Sequence, residues 1–274
     1  MAEATPPALL GVDFTCAPSR RKPITVALGQ RDGELVHLRQ LLALTTSDEF
    51  ETLLAAPGPW FGAFDFPFGL PREFVASVGL GEDIGSVIAE LHRRCRDRMA
   101  FRALVDGWGN TRAPGQRLIH RRTDRTDHGI SSTSPLQTRY VPVGFMFYEG
   151  LSRLVRAGVA LPGLLAGDAL RIAVEAYPGL LAHELIGRRS YKNTADAQRL
   201  QARCDIVSAL EQGRSRLGLR LVLAPSLRES LLADASGDRL DAVLCLLQGA
   251  WAAGRPRFGL PAIIDPVEGW ITSA

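Results

Sequence analysis

The chain of 274 residues is 46% hydrophobic and 22% charged, which is the composition of an ordinary globular protein. This composition excludes a disordered or fibrous chain, and the length allows one large α/β domain or two smaller ones with a sizeable core. The net charge of +3 is too small to indicate a nucleic-acid-binding protein by itself.

The sequence shows neither a membrane helix nor a secretory signal. No apolar run reaches the roughly 18–20 residues that span a bilayer, and MAEATPPALL lacks a basic region followed by an apolar stretch. The four cysteines are scattered without a C-x-x-C pair, which favours reduced thiols over zinc ligands or disulfides. We therefore expect a cytoplasmic protein with no membrane partner.

The first seventy residues predict three strands, a helix and a fourth strand. The first three strands are expected at residues 8–15, 23–29 and 34–38. The Asp32-Gly33 step before the third strand is typical of a hairpin turn. Ser47 is the expected N-cap of a helix that ends at Gly58, and the apolar run WFGAFDF follows it.

The remainder of the chain is predicted to be mostly helical. Residues 72–105 are expected to be helical, most clearly from Ile84 to Leu104, and periodicity is lost from about 106 to 143. A loop of this length is usually functional or disordered. A strand is expected at 170–178. Helices are expected at 146–157, 195–212, 226–233 and 238–253. We predict a single domain with a core at about 8–71 and 168–272 and a mostly helical insertion at about 72–167.

Three acidic residues each lie near the C-terminal end of an otherwise apolar predicted strand: Asp13, Asp65 and Glu175. Ligand sites in open α/β sheets form beyond these strand ends, so we expect the side chains to converge. Asp238 and Asp241 open the last helix with i, i+3 spacing, which places both carboxylates on one face. Such a cluster needs a compensating cation. Two divalent ions held by carboxylate oxygens are the usual solution at phosphoryl-transfer sites.

Each acid also has a structural interpretation that the sequence leaves open. Asp13 and Asp65 can shape turns ahead of the prolines that follow them. Glu175 can pair with a nearby arginine such as Arg171. Asp238, with an acid three residues later, resembles the capping box of a helix N-terminus. The shared placement of the acids, rather than any one of them, favours a functional site.

The motifs GVDFT, FDFPFGLP, EAYP and DRLDAVLC, in this order and with EGWI near the end, resemble a known family. It is domain of unknown function 429, a group of predicted nucleases with the ribonuclease H-like fold, and the resemblance spans most of the chain. The resemblance implies a ribonuclease H-like α/β fold with a mixed five-stranded sheet flanked by helices. It also implies hydrolysis of phosphodiester bonds by a two-metal mechanism with Mg²⁺ or Mn²⁺.

The resemblance assigns roles to the acids residue by residue. Asp13 corresponds to the metal ligand of the first strand, and Asp65 to the acid at the end of the fourth strand. Glu175 lies in the EAYP motif, and Asp241, with Asp238, occupies the position on the final helix. All five are expected metal ligands. The expected catalytic set is Asp13, Asp65, Glu175 and Asp241.

A nuclease also needs cations that face the phosphate backbone of its DNA or RNA substrate. The segment RLIHRRTDRTDHG (117–129) holds four arginines, and GRRSYKNT (187–194) places a lysine beside a tyrosine that can stack on a base. The expected substrate contacts are Thr15, Arg121, Arg122, Arg189, Tyr191 and Lys192.

The segment 117–129 also has a purely structural interpretation, as a solvated loop whose arginines pair with Asp124 and Asp127. His120 and His128, in the same segment, are expected to be surface or structural residues rather than metal ligands.

Two other functions remain open. An actin-like or sugar-kinase-like phosphotransferase has a similar fold, but its ATP site needs glycines just after the first acid. Here Asp13 is followed by FTCAP, which contains none. A ribonuclease H-like module that binds nucleic acid without cleaving it is the second alternative, and the retention of all the acids argues against it.

Overall fold

The structure is a computed structural model that describes residues 7–125 and 131–274. Within these residues the centre is a mixed sheet of seven strands. In chain order they are β1 (Ala8–Asp13), β2 (Ile24–Asp32), β3 (Leu35–Leu44), β4 (Trp60–Asp65), β5 (Val159–Ala160), β6 (Asp168–Glu175) and β7 (Arg220–Val222). Across the sheet the order is β5-β6-β4-β1-β2-β3-β7. β1, β2 and β3 are antiparallel neighbours, and the other pairs are parallel.

The predicted mixed α/β sheet flanked by helices is confirmed, but the predicted number of five strands is wrong. The additional strands, β5 and β7, contain only two and three residues. Segments this short carry no alternating hydrophobic pattern, because alternation becomes readable only over about four to eight residues.

Helices cover both faces of the sheet. They are α1 (Ser47–Ala55), α2 (Arg72–Val78), α3 (Ile84–Arg94), α4 (Arg98–Asn110), α5 (Val143–Met146), α6 (Ser152–Arg156), α7 (Pro178–Ile186), α8 (Ala197–Glu211), α9 (Pro225–Ala233) and α10 (Asp238–Ala253). A π-helical turn, Phe147–Leu151, joins α5 to α6. One apolar cluster packs α1 and the helices of the insertion on one face, and a second packs α7 to α10 on the other. Among the described helices, none is both long and apolar enough to cross a lipid bilayer.

Two of the differences from the predicted helix boundaries have clear local causes. Thr46, not Ser47, is the N-cap of α1, because its hydroxyl accepts the N–H of Glu49 while the Glu49 carboxylate accepts the N–H of Thr46. The helix expected from Ile84 to Leu104 is two helices. It breaks before α4, where the Asp97 carboxylate accepts the N–H of Ala100 at 2.9 Å.

The last helix packs unusually close to the centre of the sheet. A Cβ atom on Gly11 of β1 would lie 2.1 Å from the carbonyl oxygen of Ala242 and 2.2 Å from the backbone nitrogen of Leu246. Only a glycine therefore permits this approach between β1 and α10. The contact places the first turn of α10 beside the C-terminal end of β1, where the predicted acids lie.

Candidate functional site

Asp13 and Asp65 end two neighbouring parallel strands and are register partners. Side chains two residues apart on a strand share a face of the sheet. Gly11 and Ala63, two residues before each acid, both face α10. The two carboxylates therefore lie together on the face that α10 covers.

The third acid of the cluster comes from α10. Asp241 lies one turn into the helix and is 1% exposed, whereas Asp238, three residues earlier, is only partly buried. The N-cap of α10 is Gly237, with φ of 83° and no side-chain capping bond. The capping-box interpretation of Asp238 is therefore wrong. We refer to Asp13, Asp65 and Asp241 as the acid cluster.

Each carboxylate of the acid cluster disfavours the ionised form of the others. Burial raises the pKa of Asp13 well above its ordinary value, and the charges of Asp241 and Asp65 raise it further. Burial raises the pKa of Asp65 to about 7, with Asp241 as the next cause. Within the described part of the chain, neither the Asp13 nor the Asp65 carboxylate has a hydrogen-bond or ion-pair partner. The turn-shaping interpretation of these two acids therefore has no contact to support it.

Asp241 is held by the predicted GRRSYKNT segment. The Tyr191 hydroxyl donates to its Oδ1 atom, and the Lys192 ammonium donates to Oδ2 at 2.5 Å. Burial by itself lowers the pKa of Lys192, but attraction to Asp241, and then to Asp65 and Asp13, raises it overall. In this structure Lys192 is therefore the cation that compensates the acid cluster.

A glycine makes this ion pair sterically possible. A Cβ atom on Gly237 would lie 2.6 Å from Cβ of Lys192, and the positive φ of Gly237 also favours a residue without a side chain. The turn before α10 and the Lys192 segment can pack together only because Gly237 lacks that atom.

The donor chemistry of the acid cluster suits a hard divalent cation, since three carboxylates offer oxygen ligands. No group of three or more His, Cys, Asp or Glu side chains in the residues that the structure describes is already spaced to hold a metal ion. Both oxygens of Asp241 are engaged by Tyr191 and Lys192. A metal ion shared by the three acids would therefore compete with Lys192 and Tyr191 for the oxygens of Asp241.

Glu175 does not lie on the same face as the acid cluster. Its neighbour Val174 packs in the cluster beneath α10, and Ala173 packs in the opposite one. Strand alternation therefore points Glu175 toward the insertion. There its Oε1 and Oε2 atoms accept Arg121 N–H groups at 2.6 and 2.8 Å, and the Phe68 N–H donates to Oε2 at 2.9 Å.

Glu175 thus pairs with an arginine, as one interpretation expected, but the partner is Arg121. Arg171 instead binds Asp168, at 2.7 Å. Burial raises the pKa of Glu175, and Arg121 opposes that shift. Arg121 engages both oxygens of Glu175, although Oε1 keeps a further lone pair and Glu175 lines the same cavity as Asp65. The assignment of Glu175 as a metal ligand stays a prediction, and Arg121 is the partner that a metal ion would compete with.

Arg121 also does not fit its predicted role as a phosphate contact. It is 2% exposed. Besides Glu175, its guanidinium binds the Asp124 carboxylate at 2.8 Å and the carbonyl oxygen of Glu268 at 2.9 Å. The pair with Asp124 was expected in a solvated loop, but it is enclosed in the protein. Asp127 and His128 lie outside the described residues.

The other predicted substrate contacts are divided between exposed and occupied side chains. Arg122 is exposed and Thr15, two residues beyond Asp13, is partly exposed. Arg189 is exposed and donates to Asp205 at 2.6 Å. Tyr191 is 6% exposed, so its ring does not present a free face for base stacking. His120 is partly buried, as a structural residue would be.

A cavity of about 240 Å³ opens beside Asp65 and Lys192. Its walls are mainly apolar and include Met146, Val143 and Tyr177. Burial raises the pKa of Tyr177, and the charge of Asp65 raises it further. Sequence reasoning missed Tyr177 as a site residue. The available signal was its position in EAYP, just beyond the end of a strand that carries an acid.

Comparison with known proteins gives no relative: no protein-family model, no curated protein and no solved structure matches the chain.

Proposed function

We propose that the protein is a divalent-metal-dependent nuclease that hydrolyses phosphodiester bonds. The observation that carries this proposal is the meeting of Asp13, Asp65 and Asp241 at one end of the sheet. Lys192 compensates Asp241, which leaves Asp13 and Asp65 facing each other with raised pKa values. A bound Mg²⁺ or Mn²⁺ would stabilise all three charges.

The topology supports assigning the ribonuclease H-like fold. The chain opens with β1, β2, β3, α1 and β4, which is the succession that a ribonuclease H-like core requires. β1 and β4 are parallel neighbours at the centre of the sheet. These features also support the resemblance to the family of domain of unknown function 429.

In this proposal each residue of the site has a definite task. Asp13, Asp65 and Asp241 would hold the metal, which when bound activates a water molecule and stabilises the leaving oxygen. Lys192 lines the cavity beside Asp65, so its ammonium can bind a substrate phosphate once it has left Asp241. Glu175 is a positioning residue, because it accepts the N–H of Phe68 in the segment that follows Asp65.

A module that binds nucleic acid without cleaving it is the second candidate. The Lys192–Asp241 pair favours it, since this pair supplies a cation to the cluster from within the chain. The two candidates differ in whether a divalent ion binds the acid cluster.

A cleavage screen with an Asp13→Asn variant tests the proposal. Single-stranded, duplex, hybrid and branched nucleic acids would be incubated with Mg²⁺, with Mn²⁺ or with EDTA. We expect cleavage that requires the metal and is lost in Asp13→Asn. The control Asp32→Asn alters an exposed acid of the β2–β3 hairpin and should retain activity.

Thermal unfolding with and without the metal provides a second readout. An ion that binds only the folded protein at 100 times its dissociation constant adds about 2.7 kcal/mol of stability. We expect this stabilisation in the wild type and in Asp32→Asn but not in Asp13→Asn. Nucleic-acid binding with neither cleavage nor metal stabilisation would instead establish the binding module.

A further inference from the structure

A second concavity, of about 510 Å³, lies beside the acid cluster on the side of the β1–β2 connection, since Thr25 in its lining is the register partner of Asp13. We call it the basic groove. It is lined by that connection, the edge of β3, α9 and the first residues of α10. The charged residues of its lining are Arg20, Arg21, Arg39, Asp234, Asp238 and Arg239. Asp238 joins the groove to the cluster, because it lies one helical turn before Asp241 on α10.

The arginines of the basic groove are available to a ligand. All four are exposed. None of them forms an ion pair with an acid in residues 7–125 or 131–274, whereas many other arginines of the chain do. The side chain of Arg239 donates to the Ser230 hydroxyl at 2.6 Å. Four guanidinium groups face two aspartates, so the groove carries excess positive charge.

A β-bulge directs Arg39 into the groove. In the β2–β3 register Leu28 lies opposite Gln40 and Gly29 lies opposite Leu38. Arg39 is therefore the extra residue of the bulge, and such residues commonly re-aim a side chain beside an active site. Arg39 and Gln40 both line the groove, although regular alternation would point adjacent side chains to opposite faces.

The edge of β3 is also open at this point. β7 pairs with β3 only over Leu35–His37. No strand within residues 7–125 and 131–274 therefore continues along this side of residues 39–43, which line the groove. The groove therefore follows the edge of β3 toward the N-terminus of α10.

We infer that the basic groove binds the sugar-phosphate backbone of a nucleic-acid strand and directs that strand to Asp13, Asp65 and Asp241. The inference rests on the proposed function and names the surface and substrate class of the same site. Guanidinium groups bind phosphates through paired N–H donors. Exposed arginines without acidic partners can do so without breaking an ion pair. The groove thus supplies the phosphate contacts that the enclosed Arg121 cannot.

Fluorescence anisotropy with a fluorescein-labelled single-stranded DNA 20-mer, in EDTA, tests the inference without any cleavage. The groove variant combines Arg20→Ala, Arg21→Ala and Arg39→Ala. The matched control combines Arg214→Ala, Arg220→Ala and Arg255→Ala, which are exposed and lie outside the groove. Thermal unfolding verifies that both variants remain folded.

We expect the groove variant to bind the DNA at least about tenfold more weakly at low salt, and the control to bind like the wild type. Each phosphate contact to a single strand contributes about 0.7 to the slope of log K against log[KCl]. The slope of the groove variant should therefore be smaller by about 2. Equal losses in the groove variant and the control would overturn the inference, as would absence of binding by the wild type.

Three further results separate this inference from its rivals. If polyglutamate competes as well as unlabelled DNA at equal charge, the groove is a site for acidic peptides and the inference fails. If binding depends on the groove but no metal supports cleavage, the inference stands and the nuclease proposal fails. If the protein cleaves a small phosphodiester in Mn²⁺ while the groove variant binds DNA as tightly as the wild type, the nuclease proposal stands and the inference fails.

Discussion

The acids of this site differ in whether each has a cation of its own. Arg121 binds Glu175 and Lys192 binds Asp241. Asp13 and Asp65 share no such partner within the described residues, and their pKa values are raised. Metal-free protein should therefore show a pH dependence that originates in these two residues.

For Asp65 the direction of that dependence follows from its pKa of about 7, against about 3.9 in an unfolded chain. Between these values the folded protein binds more protons than the unfolded chain, so stability falls as pH rises from about 4 to 7 and then levels off. In the wild type the free energy of unfolding should fall between pH 5 and pH 8. We predict that this fall is smaller in Asp65→Asn by about 1–3 kcal/mol, since one pKa unit corresponds to about 1.4 kcal/mol.

Urea unfolding in EDTA at pH 5, 6, 7 and 8 measures this effect. Asp32→Asn, at the exposed hairpin, should follow the wild-type curve. If the unfolding free energies of Asp65→Asn and the wild type changed equally with pH, Asp65 would titrate like a solvated acid.

At the scale of elements, long segments with clear boundary signals were the predictable ones. The structure gives α10 the predicted bounds, because its apolar stripe is continuous and Gly254 ends it. The break between α3 and α4 was not predicted, since Cys95 and Met99 continue the apolar spacing across it. There the Asp97 cap overrides the periodicity. α7 was not predicted, because the expected strand at 170–178 included EAYP, whereas the strand ends at Glu175 and the helix begins at Pro178.

The contact between β1 and α10 gives a prediction about one glycine. Gly11→Ala would place a methyl group 2.1 Å from a backbone oxygen of α10. Overpacking against backbone usually costs 1–3 kcal/mol, and here we expect a loss of about 3 kcal/mol or more. Urea unfolding measures the loss.

Gly107→Ala in α4 is the matched control. Nothing lies within 4 Å of the added Cβ atom, and alanine is the better helix former, so stability should rise by about 0.5–1 kcal/mol. A loss below 1 kcal/mol for Gly11→Ala would show that α10 can move away from the sheet without penalty.

At the scale of the whole molecule, the sequence could predict where acids converge but not which face each would occupy. The common position at strand ends anticipated that Asp13 and Asp65 would be neighbours, and the structure makes them register partners. Glu175 also ends a strand, yet it points to the other face. A shift of one residue in register exchanges the faces, and register is set by tertiary packing rather than by composition.

The partners of these acids were equally hard to foresee. Arg121 comes from a segment without periodicity, and its partner Glu175 is 54 residues away. The sequence identified Lys192 and Tyr191 as substrate contacts, but the structure directs both to Asp241. Contacts of this kind depend on the final arrangement of the chain.

Arg121 ties together parts of the chain that are distant in sequence: the insertion, β6 and the C-terminal segment at Glu268. Replacing one member of a buried ion-pair network leaves an uncompensated charge and usually costs 3–5 kcal/mol. We predict a loss of about that size for Arg121→Met, measured by chemical unfolding.

Arg122→Ala is the neighbouring control. Its side chain is exposed, and only its backbone N–H binds Glu268, at 2.9 Å, so stability should change by less than about 0.5 kcal/mol. If Arg121→Met left the stability unchanged but weakened nucleic-acid binding, Arg121 would be a phosphate contact, as the sequence predicted.

The register between β1 and β4 has a consequence for ion selectivity. Adjacent strands are held about 4.8 Å apart by backbone hydrogen bonds, so the separation of the Asp13 and Asp65 main chains can hardly vary. Asp241 belongs to a helix that packs against the sheet, and packed helices can shift by about 1–2 Å. If ions of different radius bind here, the backbone adjustment comes from the helix, and discrimination between a small and a large ion would depend on how tightly α10 packs against the sheet.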